Sequence, residues 1–277
     1  MTYTLITGAS SGIGRAMAFE CASRGMNLCL VALDDLALYE TAQEIRRQYS
    51  VEVHCLGIDL TVESAPVEVY LWCRENDFDV DVLINNAGFG NSGLFEHNPL
   101  QEYYQMLELN NHALIGLTYQ FLPDLKNHTS AHILNVSSME ATLPLPYKAV
   151  YTGTKNFIYA FSLALREEAR NTGVAVSVLC PGPVLTNPEG LQRLRSQGKS
   201  GKILMMMPEE VAKIAIRSML KKRRVIIPGV LPYFIFKLLK VMPTSLKMRL
   251  LERIFRVYRN LPITQSSGLK KSEIPHN

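Results

Sequence analysis

The chain reads as an α/β protein, a doubly wound and mostly parallel sheet with helices on both faces. Two observations predict this. Seven short apolar runs alternate with longer helical patterns along the 277 residues, the order expected of a parallel sheet whose crossovers are helices. The first run leads straight into glycines that open a helix, and such strand-turn-helix junctions bind phosphate groups.

The elements follow in order. Residues 3–7 form the first β-type run, and residues 13–22 read as a helix with small residues on one face. Between them lies Gly8-Ala9-Ser10-Ser11-Gly12-Ile13-Gly14, a Gly-x-x-x-Gly-x-Gly spacing that differs from the common Gly-x-Gly-x-x-Gly. Glycines allow backbone turns closed to other residues and let a pyrophosphate approach the free N–H groups of the helix start. Further strands are expected at 27–32, 51–56, 80–84, 132–136, 174–179 and 225–228. A helix is expected over 36–49, and another after Pro208, with Glu209 and Glu210 in its first turn and basic residues 221–224 at its end.

Tyr151 and Lys155 are four residues apart, with Ser138 thirteen positions before the tyrosine. On a helix that spacing stacks phenol and ammonium on one face. A nearby positive charge favours the phenolate and should lower the tyrosine pKa from about 10. A tyrosine tuned in this way can pass the proton that moves when a carbonyl and an alcohol interconvert. Taken alone, the pair is also what an ordinary amphipathic helix shows.

Several further motifs fall in a fixed order: Asp59 after the third run, Asn85-Asn86-Ala87-Gly88 after the fourth, Asn110, the Ser137-Ser138 pair after the fifth, and Cys180-Pro181-Gly182-Pro183-Val184-Leu185-Thr186 after the sixth. From Tyr3 to about Gly229 the chain resembles the short-chain dehydrogenase/reductase family. The resemblance implies an NAD(P)-dependent oxidoreductase with Asn110, Ser138, Tyr151 and Lys155 as its catalytic residues. It implies cofactor contacts from Gly8, Ser10, Ser11, Gly12, Ile13, Gly14, Asp34, Asp59, Asn86, Ala87, Gly88, Tyr151, Lys155, Pro181, Gly182, Val184 and Thr186. Ser138 would hold the substrate oxygen, Asn110 would carry a relay water, and Thr186 would meet the nicotinamide carboxamide. The glycine that often follows the family's serine pair is here Ala141, after Met139-Glu140.

The cofactor form, NAD(H) or NADP(H), stays open: Ser11 supplies no cation for a 2′-phosphate, while Asp34 either repels that phosphate or caps the helix after it. Met139, Leu143, Leu145, Tyr147, Phe89 and residues 185–207 would surround an apolar, steroid-, acyl- or lipid-like substrate. Residues 1–229 form the expected catalytic domain, 230–263 a helical extension and 264–277 a disordered tail. In the extension Leu246, Leu250, Leu251, Ile254, Phe255 and Tyr258 make an apolar stripe flanked by Lys247, Arg249, Arg253, Arg256 and Arg259. That stripe reads first as a helix over the cleft or in a dimer seam, and alternatively as a peripheral membrane contact. Residues 225–236 are too short to span a bilayer.

Five cysteines without a Cys-x-x-Cys pair read as reduced core residues of a cytoplasmic chain. No metal site is expected, since only His128 and His132 approach a ligand spacing. Residues 1–7 enter the first strand without a basic head, so no signal peptide is expected. A net charge of +4 with no base-reading motif does not suggest nucleic acid. A homo-oligomer, dimer or tetramer, is expected. A catalytically silent dinucleotide-sensing or scaffold protein of the same fold is the alternative, although it would have no need of all four catalytic residues.

Overall fold

The computed structural model describes residues 1–185, 205–229 and 242–260. Its sheet has seven strands, β1 (Thr2–Thr7), β2 (Asn27–Ala32), β3 (Val53–Gly57), β4 (Asp79–Asn85), β5 (Ala131–Val136), β6 (Val174–Leu179) and β7 (Val225–Ile226), in the order β3-β2-β1-β4-β5-β6-β7. Every neighbouring pair is parallel. The strands lack polar alternation because both faces are covered, and every residue of β5 and β6 is buried.

Helices α1 (Gly12–Ala22) and α2 (Leu36–Gln48) follow the first two strands. Next come α3 (Ala65–Glu75), α4 (Leu100–Leu107), α5 (Ala113–Leu125) and α6 (Ala149–Glu168). The last two described are α7 (Pro208–Leu220) and α8 (Thr244–Phe255). One apolar layer joins Met17 of α1, Leu38 of α2 and Ile216 of α7 to one face of the sheet. The other joins Val69 of α3, Leu117 of α5 and Leu165 of α6 to the opposite face.

Strand order reverses between β1 and β4, which opens a crevice at their carboxyl ends, the place where doubly wound sheets bind ligands. Both sequence motifs with glycine turns leave the sheet at this point. Asn85 anchors the crevice floor: its side chain donates to Thr118 Oγ1 (3.1 Å) and Asn135 Oδ1 (2.9 Å), and Asn135 donates to Ser162 Oγ (2.9 Å). This chain of buried side chains ties α5, β4, β5 and α6 together.

The expected strands are all present, with boundaries that differ by a few residues. One capping expectation is corrected. Asp35, not Asp34, caps α2, accepting the Leu38 N–H at 3.0 Å. Asp34 instead accepts a hydrogen bond from Tyr39 OH at 2.6 Å, and its side chain lies over Gly57, where an added Cβ would come within 2.7 Å of it. The expected tail at 264–277 and most of the expected substrate loop lie outside the described residues.

Candidate active site

The glycine turn after β1 is built for close approach. Gly8 and Gly12 have left-handed φ values of 65° and 54°, a region costly for residues with a Cβ. Thr7 Oγ1 accepts the N–H groups of Asn86 and Ala87, each at 3.0 Å, and the Asn86 side chain donates to the carbonyls of Thr7 (2.9 Å) and Gly8 (3.2 Å). Asn86 and Ala87 therefore brace the turn against β4. Ser11, at the N-cap of α1, makes no side-chain cap, and the first turn holds no acidic residue. An open, uncapped helix start beside a glycine turn fits a dinucleotide pyrophosphate.

Gly14 departs from the simplest expectation. A Cβ there would fall 2.0 Å from the Gly8 carbonyl oxygen and 2.4 Å from Asn86 Nδ2. The third glycine thus lets α1 pack against the turn, rather than leaving open space for phosphate. Asp59 uses Oδ1 to hold the Thr61 N–H (2.9 Å) and hydroxyl (2.8 Å). Pro181 receives the Met139 N–H (3.0 Å), while Val184 pairs with Met206 across the following loop. Thr186 lies outside the described residues.

Tyr151 and Lys155 both lie on α6, as the four-residue spacing requires. Ser138, two residues past β5, caps the 3₁₀ turn Met139–Thr142 in an extended conformation, is buried, and sits close enough to the phenol to favour its ionised form. The expected lowering of the Tyr151 pKa is not what this structure shows. Burial raises it first, the Glu140 carboxylate raises it further, and Ser138 opposes both. Lys155 is enclosed as well, and burial brings its pKa down to about 8. Its ammonium donates to the Val136 carbonyl at 3.1 Å.

Asn110 falls in a π-helical turn (Glu108–His112), an irregularity frequent at functional sites. Its amide brackets the backbone of Phe89, accepting that N–H at 3.0 Å and donating to its carbonyl at 2.9 Å, and it also donates to Thr154 Oγ1 at 3.0 Å. It is therefore fully engaged with protein. Gly88 lies where a Cβ would come within 2.7 Å of Asn110 Oδ1 and 3.3 Å of Lys155 Nζ, and at Gly90 the Tyr151 ring would be 2.3 Å away. The segment 88–90 thus lies directly on the side chains of the candidate site.

A pocket of about 220 Å³ opens at the start of α6, lined among others by Leu94, Phe95, Tyr103, Tyr147 and Lys148. Leu143 and Leu145, expected around a substrate, pack with Leu251 and Phe255 of α8. Elsewhere, His128 faces Asp79 at 3.0 Å, and no cluster of three metal-ligating side chains occurs among the described residues.

A family model described as short chain dehydrogenase matches residues 2–196. The chain belongs to the short-chain dehydrogenase family. A very-long-chain 3-oxoacyl-CoA reductase from Coprinopsis cinerea is 34% identical over 178 residues, covering 63% of this chain and 52% of the relative. The chain thus spans about half the length of that curated relative. Among solved structures, a 7β-hydroxysteroid dehydrogenase superposes with a TM-score of 0.82 at 25% identity, covering 90% of this chain and 96% of the other. A short-chain dehydrogenase from Sphingobium yanoikuyae in complex with NADPH gives a TM-score of 0.74 at 28% identity, covering 88% and 98%.

Proposed function

We propose that this short-chain dehydrogenase interconverts a ketone or aldehyde and an alcohol with a nicotinamide dinucleotide. The observation that carries the reading is the convergence of Ser138, from the turn after β5, with Tyr151 and Lys155 of α6 at the carboxyl end of the sheet, where the glycine turn opens the crevice. When bound, the dinucleotide would supply the hydride for reduction or take it up in oxidation. The chain supplies the rest. Ser138 offers its hydroxyl to the substrate oxygen, and the Tyr151 hydroxyl gives or takes the proton at that oxygen. Lys155, its proton held loosely by burial, stands one helical turn away to exchange protons with Tyr151 and to bind ribose hydroxyls. Asn110 positions residues 88–90, which confine the tyrosine ring.

The Asp34 carboxylate at the carboxyl end of β2, with Ser11 and Leu33 at neighbouring positions where a cation could stand, supports NAD(H) over NADP(H). Specificity constants measured with both cofactors test this, and a preference for NADP(H) would overturn it. The apolar Leu94 and Phe95 in the pocket, together with the acyl and steroid substrates named for relatives, support an apolar substrate. Exposed Tyr119 on α5 and Phe157 on α6 support a homo-oligomer, checked by elution volume and sedimentation. Leu246, Leu250 and Ile254, exposed on α8 beside Arg249 and Arg253, support a cytoplasmic protein that touches membranes at its surface. Among the described residues no helix is long and apolar enough to cross a membrane.

The decisive test is Tyr151→Phe. Turnover should fall by about 10²-fold or more, the scale of general acid-base catalysis, with dinucleotide affinity retained. A variant with wild-type turnover would remove Tyr151 from proton transfer.

A further inference from the structure

We propose that Lys148 is a positioning residue for Tyr151: it holds Glu140 beside the phenol as a neutral pair, and α8 completes its binding site. The proposal rests on Tyr151 being the proton carrier. A lysine side chain ordinarily extends its ammonium into water. Here only 15% of the Lys148 side chain is exposed, and its ammonium donates to both carboxylate oxygens of Glu140, at 2.8 and 3.1 Å. The Tyr151 ring centre lies 5.7 Å from the same nitrogen, with the rings of Phe255 and Tyr258 at 5.8 and 5.2 Å. A carboxylate and three ring faces compensate a cation that has lost most of its water.

Glu140 is tied to the same corner from the other side. It lies in the short 3₁₀ turn Met139–Thr142, and its N–H donates to Ser138 Oγ at 3.1 Å. Without a counter-ion its charge would work directly against ionisation of Tyr151. Lys148, three residues before the tyrosine, is the cation that answers it.

The backbone shows what turns Lys148 inward. Tyr147 has φ of 67°, a left-handed conformation that is costly for a residue with a large side chain. It is held there by two contacts: its carbonyl accepts the Gly93 N–H at 2.8 Å, and its hydroxyl donates to Glu252 Oε1 of α8 at 3.2 Å. Glu252 is itself fixed by Arg256, at 3.0 and 2.7 Å. The charged and titratable groups around this corner are therefore Glu140, Lys148 and Lys155 together with Glu252 of α8 and Arg256, Tyr258 and Arg259 of the 3₁₀ turn that follows it, Arg256–Asn260. Cys180 stands behind Lys155. A helix remote in sequence thus contributes rings and a carboxylate to the surroundings of the reactive tyrosine.

The test is tyrosinate absorbance of the full chain saturated with oxidised dinucleotide, each variant read against the same variant carrying Tyr151→Phe, as pH is raised. Lys148→Met should move the Tyr151 midpoint up by about one pH unit. Glu140→Gln should move it down, the two changes together should bring it back toward wild type, and Lys148→Arg should leave it in place. Tyr258→Leu should move it up by less than Lys148→Met. If Lys148→Met fails to fold, Glu140→Gln and Tyr258→Leu carry the test. Midpoints unmoved by every change at 140, 148 and 258 would overturn the proposal, whereas wild-type turnover by Tyr151→Phe alone would overturn the reading beneath it.

Discussion

At the scale of single residues, what surrounds a side chain decides more than its type. Gly90 has an ordinary backbone conformation, yet a methyl group there would meet the Tyr151 ring at 2.3 Å. Gly90→Ala should therefore keep its fold by circular dichroism and lose about tenfold or more in kcat, as the ring is pushed from its place. At Gly14 the obstruction is the Gly8 carbonyl, part of the backbone that cannot move aside. Gly14→Val should lower the Tm of the dinucleotide-free protein markedly, and a melt without ligand checks this. The catalytic candidates were legible through the ordered motifs that resemble the family's, since the Tyr151–Lys155 spacing alone is also what an ordinary amphipathic helix shows. The Lys148–Glu140 pair was not, since it joins a helix N-cap to a 3₁₀ turn and depends on a helix a hundred residues away. Nor did any local pattern announce the π turn at Asn110.

At the scale of elements, the paired aspartates after β2 have separate duties. Asp35→Ala removes the α2 cap and should cost about 1 kcal/mol in chemical denaturation. Asp34→Ala spares that cap and should shift cofactor preference toward NADP(H), read as a ratio of specificity constants. Adjacent residues of one type could not be told apart in the sequence, because either can cap a helix that starts one residue later. The apolar stripe of α8 was legible, but only its split use emerges from the structure: Leu251 and Phe255 pack on Leu143 and Leu145, while Leu246, Leu250 and Ile254 remain exposed. Deleting residues 243–277 should raise KM for a large apolar ketone more than for a small one, as steady-state kinetics with the two will show. Equal effects would mean that α8 does not cover the substrate.

At the scale of the whole molecule, buried ionisable groups shape the response to pH. Burial lowers His132 below its usual 6.5, so the unfolded chain binds the extra proton in acid and stability falls as pH drops through that range. Lys155 holds its proton only up to about 8 when folded, against 10.5 unfolded, so its titration makes stability rise with pH across that interval. Burial raises Cys21 and Cys180 to about 12 from 9.0, so the unfolded chain loses those protons first and stability declines above pH 9. Two thiols outweigh one amine there. The dinucleotide-free protein should be most heat-stable near pH 8 to 9, and replacing both cysteines by alanine should flatten the alkaline decline in Tm.

The central position of β1 has a further consequence, for the order in which the chain becomes safe. Its partners are β2 and β4, and β4 follows two complete helices later. During synthesis, one edge of this central strand stays unpaired until Asp79–Asn85 has left the ribosome, and an apolar strand with a bare edge invites pairing with other chains. Interruptions of translation between β2 and β4 should therefore yield aggregates, while those after β5 should yield chains that chaperones release.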